Sequence, residues 1–186
     1  PNLHSIYFLL YLLIICISQW GCLVSGNKSS GDVVNFEYSD VKKYPRGFKL
    51  IGYLPTWGDF DKNLGEVDFS KLTHVNIAFG NPGSDGNLEE YLNDNQITAL
   101  VLKAKENGVK VGISLGGAIA PSYEELLHED NLSDFVACLV LYVEKHDLDG
   151  IDIDLEGNNI PDNYEDFVTE LANQLKPKKF LSAALG

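Results

Sequence analysis

Positive charge is the scarcest resource of this chain: Lys plus Arg number 14 against 27 Asp plus Glu, a formal net charge of −13. That deficit excludes nucleic acid and anionic membrane surfaces as expected partners, because both are bound through basic patches. Cysteine is scarce too. Of three cysteines, Cys16 and Cys22 lie near the N-terminus and Cys138 stands alone, expected as a buried thiol. Such a set offers neither a disulfide framework nor a zinc-ligand spacing. The histidines His4, His74, His128 and His146 are scattered without ligand spacing. No metal or other cofactor is therefore expected.

Apolar residues are plentiful, at 45% of 186 residues, enough for one globular domain with a sizeable core. One uncharged run, residues 6–18, has the length of a secretory h-region, and the small residues Gly21, Ser25 and Gly26 follow it. The basic segment that usually precedes such a run is missing and the chain opens on Pro1 rather than Met, so the expectation is a leader over residues 1–26 whose start is cut off. An uncleaved anchor extending to Val24 and a buried helix are the rival readings. Cys22 after Gly21 resembles a bacterial lipoprotein cleavage site, although Gln19 and Trp20 suit that pattern poorly. A secreted or cell-surface protein is expected, with a lipid anchor at Cys22 as the variant form. Residues 27–46 are polar and read as a linker.

From Phe48 a strand–helix rhythm begins. Strand-like runs cover 49–54, 73–79, 109–115, 150–155 and 180–185. Helical patterns cover 96–107 behind Asp94, 134–146 behind Ser133, and 164–175 behind Asp162, with a shorter helix at 123–128. Phe135, Leu139, Val140 and Val143 form a helical stripe that faces a sheet. Strands separated by helices imply parallel pairing through right-handed crossovers. Two α/β architectures compete. A five-strand doubly wound sheet would be complete at this length, whereas a (β/α)8 TIM barrel needs about 250 residues. The sequence stops at its fifth strand without a closing helix, so the favoured expectation is a barrel truncated after about five strands, occupying residues 47–186.

The most informative segment is Asp149-Gly150-Ile151-Asp152-Ile153-Asp154-Leu155-Glu156. A strand's period of two puts Asp152, Asp154 and Glu156 on one face and the aliphatics on the other. Same-face neighbours then stand about 6.6–7 Å apart. Like charges that close are costly unless they share protons, accept hydrogen bonds or meet a cation. The pattern points to acid–base chemistry or a cation site. A calcium loop starting at Asp149 is excluded, because Ile151 and Ile153 would occupy ligand positions.

With these acids ending the fourth strand, the chain resembles glycoside hydrolase family 18, the chitinases and endo-N-acetylglucosaminidases. The family's Asp-x-x-Asp-x-Asp-x-Glu stands unbroken from Asp149 to Glu156, Ser114-Leu115-Gly116-Gly117 matches its Ser-x-Gly-Gly, and the segment from Asp68 to Phe79 looks like its second-strand entry. Leu155 replaces the aromatic that many chitinases carry before the glutamate, which looks more like the compact plant-type chitinases or endoglycosidases. The resemblance implies that Glu156 protonates the leaving oxygen. It implies that Asp154 orients the substrate's acetamido group, whose oxygen attacks in place of a protein carboxylate, and that Asp152 tunes Asp154 from below. It also implies a polysaccharide of N-acetylglucosamine as partner. Nothing in the sequence points to an obligate protein partner. A non-catalytic glycan-binding protein on the same barrel is the alternative, and a divalent-cation site on a doubly wound sheet is a third reading.

Other residues carry weaker signals. Tyr53 and Trp57, after the first strand, suit a sugar-stacking wall, though aromatics near strand ends are as often core. Ser114, Gly116, Gly117 and Asp149 read as structural parts of the motifs, the glycines fitting a tight strand end or a simple turn. Residues 80–86, from Gly80 and Asn81 onward, lie at the functional rim of a barrel, though their composition says only turn. Asn27 and Asn131 begin glycosylation sequons.

Overall fold

The computed structural model describes residues 48–83, 85–89, 91–118, 120–155, 160–175, 177 and 179–184. The expected leader, the linker and Glu156 lie outside the described residues. Five strands, β1 (Ile51–Pro55), β2 (His74–Ala78), β3 (Lys110–Gly116), β4 (Gly150–Asp154) and β5 (Phe180–Ala183), alternate with helices α1 (Phe60–Glu66), α2 (Asp94–Glu106), α3 (Leu132–Lys145) and α4 (Tyr164–Gln174). Every neighbouring pair is parallel and the spatial order is β1-β2-β3-β4-β5.

That order decides between the two architectures. A doubly wound sheet reverses its strand order at a switch point, and among the described residues none occurs. The sheet is also strongly curled. Three strand spacings separate β1 from β4, about 14 Å in a flat sheet, yet the Tyr53 hydroxyl lies 2.9 Å from Asp152 Oδ2. The same separation divides β2 from β5, yet the rings of His74 and Phe180 meet edge-on at 5.1 Å. Side chains rise roughly perpendicular to their strands, so both contacts require a concave face. This is the curled, singly wound sheet of a β/α barrel.

The apolar half of the alternation lies on the convex face. Val75, Ile77, Val111, Ile113, Leu115, Ile151 and Ile153 form one buried cluster with residues from α2, α3 and α4. On α3 the buried stripe is Leu132, Phe135, Val136, Leu139 and Val143, with Val140 only partly buried. Cys138 is a free thiol that is half-buried rather than buried, because it sits off that stripe.

Helix starts differ from expectation by a residue or two. Asn93, not Asp94, caps α2 in a reciprocal box with Gln96. Asn131 and Asn163, not Ser133 and Asp162, precede α3 and α4, and their amides instead donate to the carbonyls of Glu125 and Leu127 at 2.9 Å. The helix expected at 123–128 is a run of turns with one helical-type bond from Leu127 N–H to Tyr123 O. The short α1, capped by Asp59, was not anticipated.

Candidate active site

β4 carries the acids, and its neighbours determine what each can do. Asp152 is 2% exposed and faces into the concavity. Its Oδ2 accepts hydrogen bonds from the Tyr53 hydroxyl on β1 at 2.9 Å and from Ser114 Oγ on β3 at 2.8 Å. Its Oδ1 accepts from Ser182 Oγ on β5 at 2.6 Å. Three hydroxyls from alternate strands thus hold one buried carboxylate, and donors to the charged form of a carboxylate stabilise it. Burial first, then the Asp152 charge and hydrogen bond, push the Tyr53 phenol well above its ordinary pKa, so it remains a donor. The Tyr164 phenol at the start of α4 is also raised, by burial and then by Asp152.

Asp154 follows on the same face, half-buried and closer to the carboxyl end of β4. Asp149 lies at the other end, where its Oδ2 accepts the Val111 N–H at 2.9 Å and fastens β4 to β3. Gly116 and Gly117 show why that corner needs glycine. Both have positive φ, 107° and 85°, and a Cβ on Gly116 would collide with the Asp154 carbonyl. The Gly117 N–H donates to that same carbonyl at 2.9 Å. On its other side Gly117 meets the ring of Phe79, where a Cβ would also clash.

The two expected wall residues have different surroundings. Trp57 is 61% exposed and stacks on Phe79, centroids 6.2 Å apart and planes 18° apart. Tyr53 is half-buried with its hydroxyl committed to Asp152, because the curl carries β1 across to face β4. Four residues to which the sequence assigned no site role also belong here: Phe79, Ser182, Asn81 and Asn76. Asn76 is fully buried on the concave face; it lies close enough to the Tyr53 phenol to offset part of its rise, without a hydrogen bond of good geometry among the described residues. Its only sequence signal was a polar residue within an apolar strand.

Among the described residues no three His, Cys, Asp or Glu side chains converge as a metal site. A surface groove of about 770 Å³ lined by Glu124, His128, Asp162, Asp166 and Glu170 lies between the loop before α3 and α4, and none of the strand-end residues lines it. The geometry of the strand ends, with a buried carboxylate under a second acid, is the stronger sign of chemistry.

Fold and site together define a β/α-barrel protein with its acids at the carboxyl ends of the strands, where enzymes of this fold place their active sites. Residues 49–186 match the glycosyl hydrolases family 18 model, and the chain belongs to that family. It is 35% identical over 118 residues to a chitinase-like effector of Moniliophthora perniciosa, covering 60% of this chain and 27% of that protein. Among solved structures it is similar to a family 18 chitinase from the chitin utilization locus of Flavobacterium johnsoniae, with 34% identity and a TM-score of 0.65, over 74% of this chain and 46% of that one. A Rhizomucor miehei chitinase aligns at 28% identity and a TM-score of 0.63, over 74% and 47%. The chain therefore spans less than half the length of each.

Proposed function

We propose that the full-length protein, rather than the five-stranded half-barrel by itself, hydrolyses β-1,4 bonds in N-acetylglucosamine polymers, chitin or related glycans, with retention of configuration and Glu156 as general acid. The observation that carries this reading is Asp152, buried and held by three hydroxyls, with Asp154 next along the same face and Glu156 two residues further in the sequence. In this proposal Glu156 gives its proton to the leaving glycosidic oxygen as positive charge builds at the anomeric carbon. The substrate's acetamido oxygen closes on that carbon, and Asp154 orients the amide and balances the oxazolinium charge. Water then opens the ring on the same face, with Glu156 as base. The exposed Trp57 ring offers a stacking face to a pyranose.

A second reading, glycan binding without cleavage, is favoured by the name of the Moniliophthora relative, a chitinase-like effector. Against it stands the unbroken acid motif. Glu156→Gln keeps the volume and removes the proton donor, so activity on an N-acetylglucosamine oligomer should fall at least about a hundredfold. Near-normal turnover of that variant of the full-length protein excludes Glu156 as the acid, and a wild-type full-length protein that binds the oligomer but never cleaves it supports the second reading. The matching glucose oligomer, which lacks the acetamido group, should be inert; comparable cleavage of both would mean that a protein carboxylate attacks. We also propose that residues 1–26 direct export, which N-terminal sequencing of the protein recovered outside cells tests.

A further inference from the structure

The loop after β2 has only turn composition, yet one of its side chains ties three segments together. Asn81 accepts the Gly116 N–H at 2.9 Å and returns a hydrogen bond from its Nδ2 to the Gly116 carbonyl at 3.0 Å. Its Oδ1 also accepts the Tyr123 hydroxyl at 2.7 Å. The paired donor and acceptor of one amide thus stand where another residue of β2 would have bonded β3. The last backbone bond across that edge, Gly80 N–H to Ser114 O at 2.9 Å, lies just before it. Tyr123 is 1% exposed, with its ring edge-on to Phe135 of α3 at 6.0 Å, so the latch is anchored in the convex core. Burial pushes the Tyr123 phenol up, which keeps it a donor.

What the latch holds is the glycine corner. Gly116 packs against the Asp154 carbonyl with no room for a side chain, and the Gly117 N–H donates to that carbonyl at 2.9 Å. Asp154 is followed by Leu155 and then Glu156. A contiguous set of hydrogen bonds therefore runs from Tyr123 through Asn81 and the two glycines to the backbone of the acid strand, at the point where it leaves the sheet. The loop is itself braced, with Glu89 N–H on Asn81 O at 2.9 Å and an antiparallel bridge from Pro82 to Leu88. Aspartate, when ionised, has no donor for the Gly116 carbonyl, leucine has neither donor nor acceptor, and glutamine is one methylene too long.

We propose that Asn81, supported by Tyr123, is a positioning residue that fixes the Gly116–Gly117 corner and through it the backbone of Asp154. The inference rests on the hydrolase reading for its kinetic consequence but has a readout that does not. In the full chain, Asn81→Leu should lower kcat on an N-acetylglucosamine oligomer about tenfold with KM changed less than about threefold, because the geometry lost is that of the reacting groups. Amide exchange at Gly117, followed by NMR, should speed up about tenfold in the same variant. Asn81→Asp, which keeps both acceptor roles, should fall between Leu and wild type in both measurements. Tyr123→Phe removes one hydrogen bond and should lower kcat about threefold; it serves as the second variant if Asn81→Leu does not fold. A full-length wild-type protein that does not cleave, together with faster Gly117 exchange in the variants, removes the hydrolase reading and leaves the latch standing. Wild-type exchange at Gly117 with wild-type kcat in Asn81→Leu, or in Tyr123→Phe if that is the only folded variant, overturns the latch, even if the melting temperature has dropped.

Discussion

The two faces of the curled sheet are made from alternate residues of the same strands, and they do opposite kinds of work. On the convex face Ile151 and Ile153 are fully buried among aliphatics and aromatics from α2, α3 and α4. One residue away on the concave face, Asp152 is nearly as buried but is surrounded by hydroxyls from β1, β3 and β5. Burial alone therefore says little about role. Apolar burial in a close-packed cluster supplies stability. A buried carboxylate is costly unless its hydrogen bonds are met, and one met from three strands is held for geometry.

The sharpest break of this contrast is on the convex side. Phe167 of α4 is fully buried and stacks on Phe135 at 5.8 Å. Phe167→Ala should cost about 3–5 kcal/mol in urea unfolding, while the activity of the remaining folded protein stays within about twofold of wild type. On the concave side, Asp152→Asn keeps the shape and the acceptor for Tyr53 and Ser114. It should change unfolding free energy by less than about 1 kcal/mol and lower kcat by about fiftyfold. The reverse outcome, large loss of stability with little loss of rate, would make Asp152 a structural group and collapse the distinction between the faces.

The lower end of the concave face sharpens the comparison, because it is neither apolar core nor part of the candidate site. His74 lies there against Phe180, with Thr73 Oγ1 at 2.8 Å from its Nδ1; Lys49 and Lys110 repel its charged form and Asp149 favours it. Burial, then the two lysines, lowers its pKa to about 4 from an ordinary 6.5. Above about pH 6.5 His74 is neutral in both states and contributes no pH dependence. As pH falls from 6.5, the unfolded chain takes up a proton that the folded one refuses, so stability declines until about pH 4, where the folded form is protonated too. The decline should be on the order of 2 kcal/mol, and urea titrations of wild type and His74→Gln at pH 7 and pH 4.5 measure it. A slope unchanged in the variant removes His74 as its source.

The smallest expected effect belongs to Ser182, one of the three hydroxyls on Asp152. Ser182→Ala should lower kcat about fivefold and leave the unfolding midpoint nearly unchanged. Ser182→Thr should recover most of the rate. Failure of threonine to restore it would point to β5 packing rather than to the hydrogen bond.

Much of the fold was legible because strand alternation and helix periodicity are local. All five strands were expected within two residues of their observed ends, and the convex stripe of α3 was largely anticipated. Helix starts were less legible. Asn93 and Asp94, or Asp162 and Asn163, are adjacent residues of similar capping power, and for α3 and α4 the asparagine amides were drawn to carbonyls of the loop before α3. The acid motif stood out in the sequence, and Tyr53 and Ser114 were named beside it, but none of the contacts to Asp152 was legible and Ser182 was not singled out. Ser182, Tyr53 and Asn81 are single polar residues that reach their partners across 30, 99 and 35 positions. No periodicity announces such contacts.

By itself the sequence determined the alternation that separates the two faces, the consecutive β/α units and the unbroken line of acids from Asp149 to Glu156. These follow from backbone geometry, in which successive side chains of a strand must point to opposite sides. Only the tertiary structure decided that Asp152 is held by β1, β3 and β5 together, that the Tyr53 hydroxyl bonds an acid, and that Asn81 continues the edge of β2. Each depends on how far the sheet curls and where its loops fold back. Those are properties of the packed assembly, set by twist and by the helices on the convex face.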